Sequence, residues 1–475
     1  MDDASKNGSV RRRSFGDWIV ATRPWSFSAS VIPIAAVALW LVWRFGHGDW
    51  INILLSLAVI VCLHACSNVF SDCKDYERKV DFPGSPNGVS WIQDGRFSVF
   101  TLRCYASVLL VAGVLLGCAV AVRCLSWHAL GIGVAGVILA VGYSFLKYHA
   151  LGDLAVFLAF SALPSVGLGV VAVGNLLPET LLIVLPPGLL TMAILNANNI
   201  RDVETDARAQ CRTLPMAMGC QGAGVVYWIQ TFLPYLLVSA FIAFRLVPYA
   251  AIGTFLTLPL AIRNATLMRW GELATLDRSS AQLQLLFGVL YAISFPVGLL
   301  DFWWQMSIAS VVTGGLALKF ASRDVCRNVL LEGVLAVVLA AALWGVFWLG
   351  NEISRMLFDF SKSQVDAIYA LRADQSPVLI GVLLLVLIGP AEELFWRGVV
   401  QHRLSARLGP NLGFVLAAFC YTFIHVWSFN FMLIGAAAVC GVIWGACYRF
   451  FPKHLPALVL SHAIWDAVVF VVFPI

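Results

Sequence analysis

The sequence predicts an all-α protein, a polytopic membrane helical bundle, and three observations predict it. Of the 475 residues, 60% are hydrophobic and only 12% charged, about half the charge share of an ordinary soluble domain, and the mean hydropathy is +0.85. Apolar runs of roughly 20 residues, enough to cross a hydrocarbon core as a helix, recur along the chain. The Lys and Arg residues between these runs alternate between crowded and sparse loops, the asymmetry that sets the orientation of membrane proteins.

The opening residues, MDDASKNGSVRRRSFGDW, are polar and basic, and no small-residue cleavage site follows. Residues 1–17 therefore read as a cytoplasmic basic tail ahead of a retained first span. Nine apolar runs follow near 26–46, 51–71, 100–122, 125–146, 153–174, 180–198, 222–244, 247–262 and 282–304. Five more lie near 328–350, 376–400, 410–427, 429–448 and 455–474, and a weaker, Gly-containing one near 306–318. Each reads as a helix because lipid offers backbone groups no partner of its own. With the N-terminus inside, the inner segments of the first nine spans carry Arg11, Arg12, Arg13, Lys74, Lys147, Arg201 and Arg269 among others, while the outer loops hold Arg44, Arg123 and Arg245. This orients the chain in the cell membrane with a cytoplasmic N-terminus. The weak segment divides the protein into a first domain over 18–305, a linker over 306–327 and a second domain over 328–475. A polar stretch at 351–377 reads either as a surface helix or as a plain connector.

Composition also excludes. The net charge of +5 follows from the loop bias, and no basic stripe with interleaved aromatics stands outside the spans, so nucleic acid is not a partner; the lipid bilayer is. Twelve cysteines are scattered without a CxxC pair and read as small buried hydrophobes rather than a disulfide or zinc framework.

Two acidic clusters end two spans. NVFSDCKDYERKVD, at 68–81, closes the second, and NNIRDVETD, at 198–206, closes the sixth; both ends reach the same face. Asp72 and Asp75 are three apart and Asp202 and Asp206 four apart, so each pair shares a face of a continuing helix. Like charges so placed repel, and a carboxylate carried into hydrocarbon is costly, so something cationic should gather them. Mg²⁺ suits such a site because it takes one or two carboxylates, several waters and phosphate oxygens. Two facing clusters would then hold a diphosphate through bridging Mg²⁺ ions, with nearby Arg and Lys offsetting the remaining charge.

On these residues, residues 18–304 resemble the UbiA-type membrane prenyltransferases, and among them the 1,4-dihydroxy-2-naphthoate polyprenyltransferases of menaquinone synthesis. The first motif of that branch is matched by Ser71, Asp72, Asp75 and Asp81, preceded by Asn68. The second is matched by Asn198, Asn199, Arg201, Asp202, Asp206, Arg212, Thr213 and Leu214. ATRPWSFSASVIP at 21–33, YSFLK at 143–147 and LGDLAVFLAF at 151–160 add to the likeness. Ser71 departs from the usual Asn, and Gln210 and Cys211 from Gly and Lys. The resemblance implies a nine-span fold and Mg²⁺-dependent transfer of a polyprenyl chain from its diphosphate to an aromatic acceptor. Asp72, Asp75, Asp202 and Asp206 would be the metal-holding catalytic carboxylates. Asn68, Asp81, Asn198, Arg201 and Arg212 would bind substrate, Lys147 would contact phosphate, and Tyr143 would stabilise or orient the allylic cation.

The last third holds a second constellation. In LLLVLIGPAEELFWRGVVQ, Glu392 and Glu393 follow an unbroken apolar run, and ionisable groups at such depth mark a site. Adjacent helical residues point about 100° apart, so the two cannot share a role. Glu393 and Arg397 stand at i and i+4 in the favourable order for an ion pair, which leaves Glu392 as a general base. His425 and His462 occur in later spans, with Asp466 one turn beyond His462.

This set resembles the CPBP (CAAX protease and bacteriocin-processing) intramembrane peptidases, relatives of the Rce1-type endoproteases. EExxxR is met by Glu392, Glu393 and Arg397; FxxxH by Tyr421 and His425, with Tyr for Phe; HxxxD by His462 and Asp466. By that likeness Glu392 activates water against a peptide carbonyl, and His425, His462 and Asp466 orient it, stabilise the oxyanion or bind Zn²⁺. Two alternatives stay open: another prenyl acceptor, such as a different quinone precursor or a glycerol-lipid hydroxyl, and a C-terminal domain that binds a protein partner as a scaffold without cutting peptides.

Overall fold

The computed structural model describes residues 14–79, 91–208, 210–321, 325, 326, 328–373 and 375–475. Among them 13 helices are long and apolar enough to cross a membrane, and Trp127–Tyr143 is a shorter apolar one. The chain divides into two compact units, Met1–Leu299 and Leu300–Ile475.

The first unit opens with α1 (Phe15–Ala21), whose Ser14 and Asp17 form a reciprocal N-terminal cap. The spans α2 (Ser28–Phe45), α3 (Trp50–Glu77), α4 (Val99–Cys124) and α5 (Trp127–Lys147) follow. Asp49, Ser98 and Ser126 accept backbone N–H groups at the N-termini of α3, α4 and α5, satisfying donors that no helix can satisfy for itself. α6 (Gly152–Phe157) runs through a widened π turn at Leu158–Ala162 into α7 (Leu163–Val173). Then come α8 (Glu179–Arg201), the short α9 (Val203–Arg208), α10 (Leu214–Ala243), α11 (Leu258–Trp270) and α12 (Leu276–Val297).

α3 packs along α4, α8 along α10 and α12, and α12 along α2. Val108, Val111, Leu115 and Val122 of α4 face outward, as lipid-facing residues do. Polar side chains turn inward instead: Asn196 donates to Gln230 Oε1 at 3.1 Å and to Ala223 O at 3.0 Å, and Tyr227 meets Ser280 at 2.8 Å. Interhelical hydrogen bonds of this kind tie membrane helices together where apolar burial alone does not drive association.

The second unit comprises α13 (Phe302–Phe320), α14 (Val329–Leu357), α15 (Ser361–Ala370), α16 (Pro377–Leu383), α17 (Gly389–Phe395), α18 (His402–Leu408), α19 (Pro410–Phe423), α20 (Phe431–Phe450) and α21 (Leu455–Ala467). Residues 306–320, expected to be linker, lie in α13 of this unit. Ser307, Ser310 and Ala317 are buried, and a Cβ at Gly314 would stand 3.2 Å from Ala391 Cβ. Small residues let the helix pack closely on α17 while keeping its hydropathy low. The polar 351–377 stretch divides between the end of α14 and α15. No disulfide forms among the described residues, and Cys104, Cys118, Cys220 and Cys420 are exposed, which corrects the expectation of burial at those four: they lie on helix faces turned away from the bundle.

Candidate active sites

The last turns of α3 carry Asn68, Ser71, Asp72 and Asp75, and the two aspartates are 6% and 5% exposed. Each is met by a cation from elsewhere. Arg23, in the left-handed region at φ 54° before the turn Pro24–Ser26, pairs with Asp72. Asn68 holds that turn in place, donating to Thr22 O at 2.9 Å and Ser26 Oγ at 3.0 Å. Asp75 takes Lys147 Nζ at 3.0 Å, Tyr148 OH at 2.5 Å and Ser71 Oγ at 3.4 Å. The hydroxyl of Ser71 thus contributes where the related motif has an amide.

At the end of α8, Arg201 donates to both oxygens of Asp202 at 2.8 and 2.7 Å and to Asn198 Oδ1 at 2.5 Å. It also pairs with Asp277 from the first turn of α12. Asp206, on α9, is 8% exposed. Burial pushes its carboxyl from the ordinary 3.8 up to about 6, with Lys147 opposing and Asp202 and Asp75 adding to the rise.

These two groups border one cavity of about 1560 Å³, lined by Arg23, Asp75 and Lys147 from one side and by Asn198, Arg201, Asp202 and Asp206 from the other. A smaller cavity of about 120 Å³ is walled by Leu63, Gly136, Phe160 and Leu168 and reaches Tyr143. Of the expected site residues, Asp72 joins the cavity through Arg23, and Tyr143 lines the apolar chamber. Arg212 is exposed, and its backbone bonds to Tyr148 and Ala150 tie two loops together. Asp81 lies outside the described residues. Arg23, Tyr148 and Asp277 were not singled out by the sequence. An Arg before a Pro at the start of a span was the one available signal for Arg23.

The carboxylates facing this cavity fit divalent cations. Asp206 is buried, which disfavours its ionised form, and Mg²⁺ beside Asp75, Asp202 and Asp206 would favour it.

In the second unit the helical run from Pro377 to Leu408 widens into π turns at Leu384–Ile388 and Trp396–Gln401, on either side of α17. Such bulges accompany functional sites. Glu393 is 0% and Arg397 2% exposed; they pair at 3.0 Å. His462 donates from Nδ1 to Glu393 Oε1 at 3.0 Å and directs Nε2 toward Asp466 at 3.4 Å and Glu392 at 4.0 Å. Glu392 accepts Tyr421 OH at 3.2 Å. Trp444 stacks on His462 at 4.0 Å, and Arg397 lies over the Tyr421 ring at 4.7 Å. His425 donates to Tyr421 O at 2.8 Å, so it borders the group through Tyr421. The two glutamates therefore diverge as their helical positions require. Trp444 escaped the sequence reading because an aromatic in an apolar span carries no mark of what it stacks upon.

Fold and sites together define a multi-pass membrane protein with a cation-lined acidic cavity in one unit and a buried glutamate–histidine cluster in the other. The chain belongs to the UbiA prenyltransferase family, whose sequence model matches residues 30–286, and it carries a second domain that matches the type II CAAX prenyl endopeptidase Rce1-like family over residues 374–468. It is 31% identical over 281 residues to the UbiA prenyltransferase domain-containing protein 1 of Danio rerio, covering 58% of this chain and 82% of that one. The Xenopus tropicalis protein of the same name is 29% identical over 303 residues, covering 61% and 84%. Among solved structures, a UbiA homolog from Archaeoglobus fulgidus bound to DMAPP and Mg²⁺ aligns with a TM-score of 0.41 at 18% identity, covering 59% of this chain and 97% of that one.

Proposed function

We propose that the first unit moves a polyprenyl chain from its diphosphate to an aromatic acceptor with Mg²⁺, the acceptor being 1,4-dihydroxy-2-naphthoate in menaquinone biosynthesis. The observation that carries this reading is the meeting of both acidic motifs, with Arg23, Lys147 and Arg201, around one cavity. Asp75, Asp202 and Asp206 would hold Mg²⁺, with Asp72 beside them, and the bound ions would neutralise charge on the departing diphosphate. Arg23, Lys147 and Arg201 would then turn from their carboxylates to phosphate oxygens, as Arg and Lys do at such anions. The chamber at Tyr143 would shelter the reactive carbon from water. In keeping with the charge asymmetry of the loops, the N-terminus and this cavity would face the cytoplasm of a cell membrane.

For the second unit we propose peptide hydrolysis. Glu392 would draw a proton from water, Tyr421 would hold that carboxylate, and His462, fixed by Glu393, would face the reacting carbonyl. His462 Nε2, Glu392 and Asp466 are also donors that suit Zn²⁺, and metal analysis of the purified protein with and without His462→Ala distinguishes the two forms.

The test is turnover of purified protein with polyprenyl diphosphate and Mg²⁺ against a panel of acceptors. Prenylation of dihydroxynaphthoate, lost in Asp75→Ala and Asp202→Ala, is expected. Turnover of another acceptor in its place would overturn the choice of acceptor. Cleavage of prenylated or unmodified peptides that stops in Glu392→Gln is expected of the second unit; no cleavage of either, with transferase output lost on deleting residues 328–475, would make it a scaffold.

A further inference from the structure

In the second unit the first turn of α14 meets the turn Pro452–His454 that leads into α21. Glu332 of α14 is only 3% exposed. Its Oε2 accepts the backbone N–H of Ala457 at 2.9 Å, and its Oε1 meets His454 Nδ1 at 2.6 Å. Cys326, just ahead of α14, completes the group. Its backbone N–H donates to Lys453 O at 2.6 Å, and Val325 beside it packs on the apolar cluster of Leu343, Leu455 and Leu458. The backbone that carries the thiol is therefore pinned to the same turn. The Cys326 sulfur, a Glu332 oxygen and a His454 ring nitrogen all lie within 4.8 Å of one another. None of the three belongs to either site described above.

A buried carboxylate is costly unless it is paired, and its partner here is an imidazole, a full cation only when protonated. A divalent ion between Glu332 and His454 would compensate the carboxylate with the imidazole neutral. Thiolate and imidazole favour Zn²⁺ over Mg²⁺ or Ca²⁺. A tetrahedral Zn²⁺ would draw the three atoms to separations of about 3.5 Å, a short closure from where they stand. Cys326 and His454 are both partly exposed, so an ion can enter and water can take the fourth position. The Ala457 N–H on Oε2 would serve as the outer contact that orients the carboxylate.

We propose that Cys326, Glu332 and His454 form a Zn²⁺ site that fastens the start of α21 to α14. As the sulfur–zinc bond forms, the thiol proton passes to water. The imidazole keeps its N–H on the nitrogen that zinc leaves free, and no group changes oxidation state. α21 goes on to carry His462 and Asp466, so the ion holds the helix that brings them to Glu392 and Glu393. The site stands whether or not the second unit hydrolyses peptides.

The experiment uses the full-length protein, stripped with EDTA and titrated with Zn²⁺. Metal content is measured in the His462→Ala background, which removes the other position suited to zinc. Alkylation of each cysteine by iodoacetamide is followed by peptide mass spectrometry with and without Zn²⁺. The His462→Ala protein should hold about one zinc ion per chain, with a Kd of about 1 μM or tighter. Zn²⁺ should slow alkylation of Cys326 at least about tenfold and leave the other cysteines unchanged, since a metal-bound sulfur is no longer a free thiolate. Cys326→Ser and Glu332→Gln should each weaken Zn²⁺ binding about 100-fold or more, no less than the loss of an outer contact costs. Glu332→Gln is the sharper of the two, because its amide oxygen can still accept the Ala457 N–H. Alkylation of Cys326 at the same rate with and without Zn²⁺, or zinc binding unchanged in Cys326→Ser and Glu332→Gln, would overturn the proposal. Should either variant fail to fold, the wild-type alkylation rates decide alone. Zinc that disappears in His462→Ala and leaves Cys326 unprotected would belong to the glutamate–histidine cluster, and would overturn the proposal as well.

Discussion

Asp206 shows how burial, more than any neighbouring charge, sets the behaviour of one residue. Its folded pKa of about 6 lies above the ordinary 3.8, so between those values the folded chain holds a proton that the unfolded chain has released. Its contribution to stability therefore declines as pH rises through that window. Metal binding has the opposite slope, because the cation must displace the proton. Below about pH 6, Mg²⁺-dependent pyrophosphate binding by the purified protein should weaken up to about tenfold per pH unit, and Asp206→Asn should flatten that profile while lowering affinity at neutral pH. Calorimetry across pH checks both. The carboxylates were legible in the sequence because charge at the end of an apolar run is conspicuous. Their partners were not: Arg23 reaches Asp72 across 49 positions and Arg201 reaches Asp277 across 76, and no local spacing encodes such meetings.

Among the elements, α17 and its flanking π turns hold Glu393 and Arg397 out of water entirely. Removing Arg397 leaves the buried Glu393 with His462 as its remaining partner, and breaking a buried pair in this way costs up to about 3–5 kcal/mol. Arg397→Met should destabilise the protein by that order in thermal unfolding, and Glu393→Gln/Arg397→Met should recover much of the loss. The loop after α9 offers a contrast. Gln210 sits at φ 56°, in the region that costs a non-glycine about 1 kcal/mol or more, and the related motif has Gly there. Gln210→Gly should raise stability by about 0.5–1 kcal/mol and leave pyrophosphate binding unchanged. Beside it the Cys211 thiol, pushed up to about 11 chiefly by burial, stays neutral and adds none of the positive charge that Lys brings at that position. Helix α13 reads in the sequence only as a weak run near 306–318, because the Ser, Thr and Gly residues that let it pack on α17 lower its hydropathy.

At the scale of the whole molecule, each unit closes its own core and carries its own polar site. Asp202→Ala should abolish prenyl transfer and leave peptide cleavage within about twofold, and Glu392→Gln should do the reverse, since the two sites belong to separate units and substitutions that share no partners act independently. Paired assays on each variant check this. The long spans were legible because apolar length is a one-dimensional property. The division after Leu299 was not, since α13 joins the second unit through packing that hydropathy does not record.

By itself the sequence determined that this is a helical membrane protein, where its spans run, and which carboxylates and histidines are too expensive to be incidental. Only the tertiary structure decided which cation answers which carboxylate, that both acidic motifs border one cavity, and that Arg212 stays outside it. The reason is physical: hydrophobic length is written along the chain, whereas charge pairing depends on distances between helices, which packing alone sets.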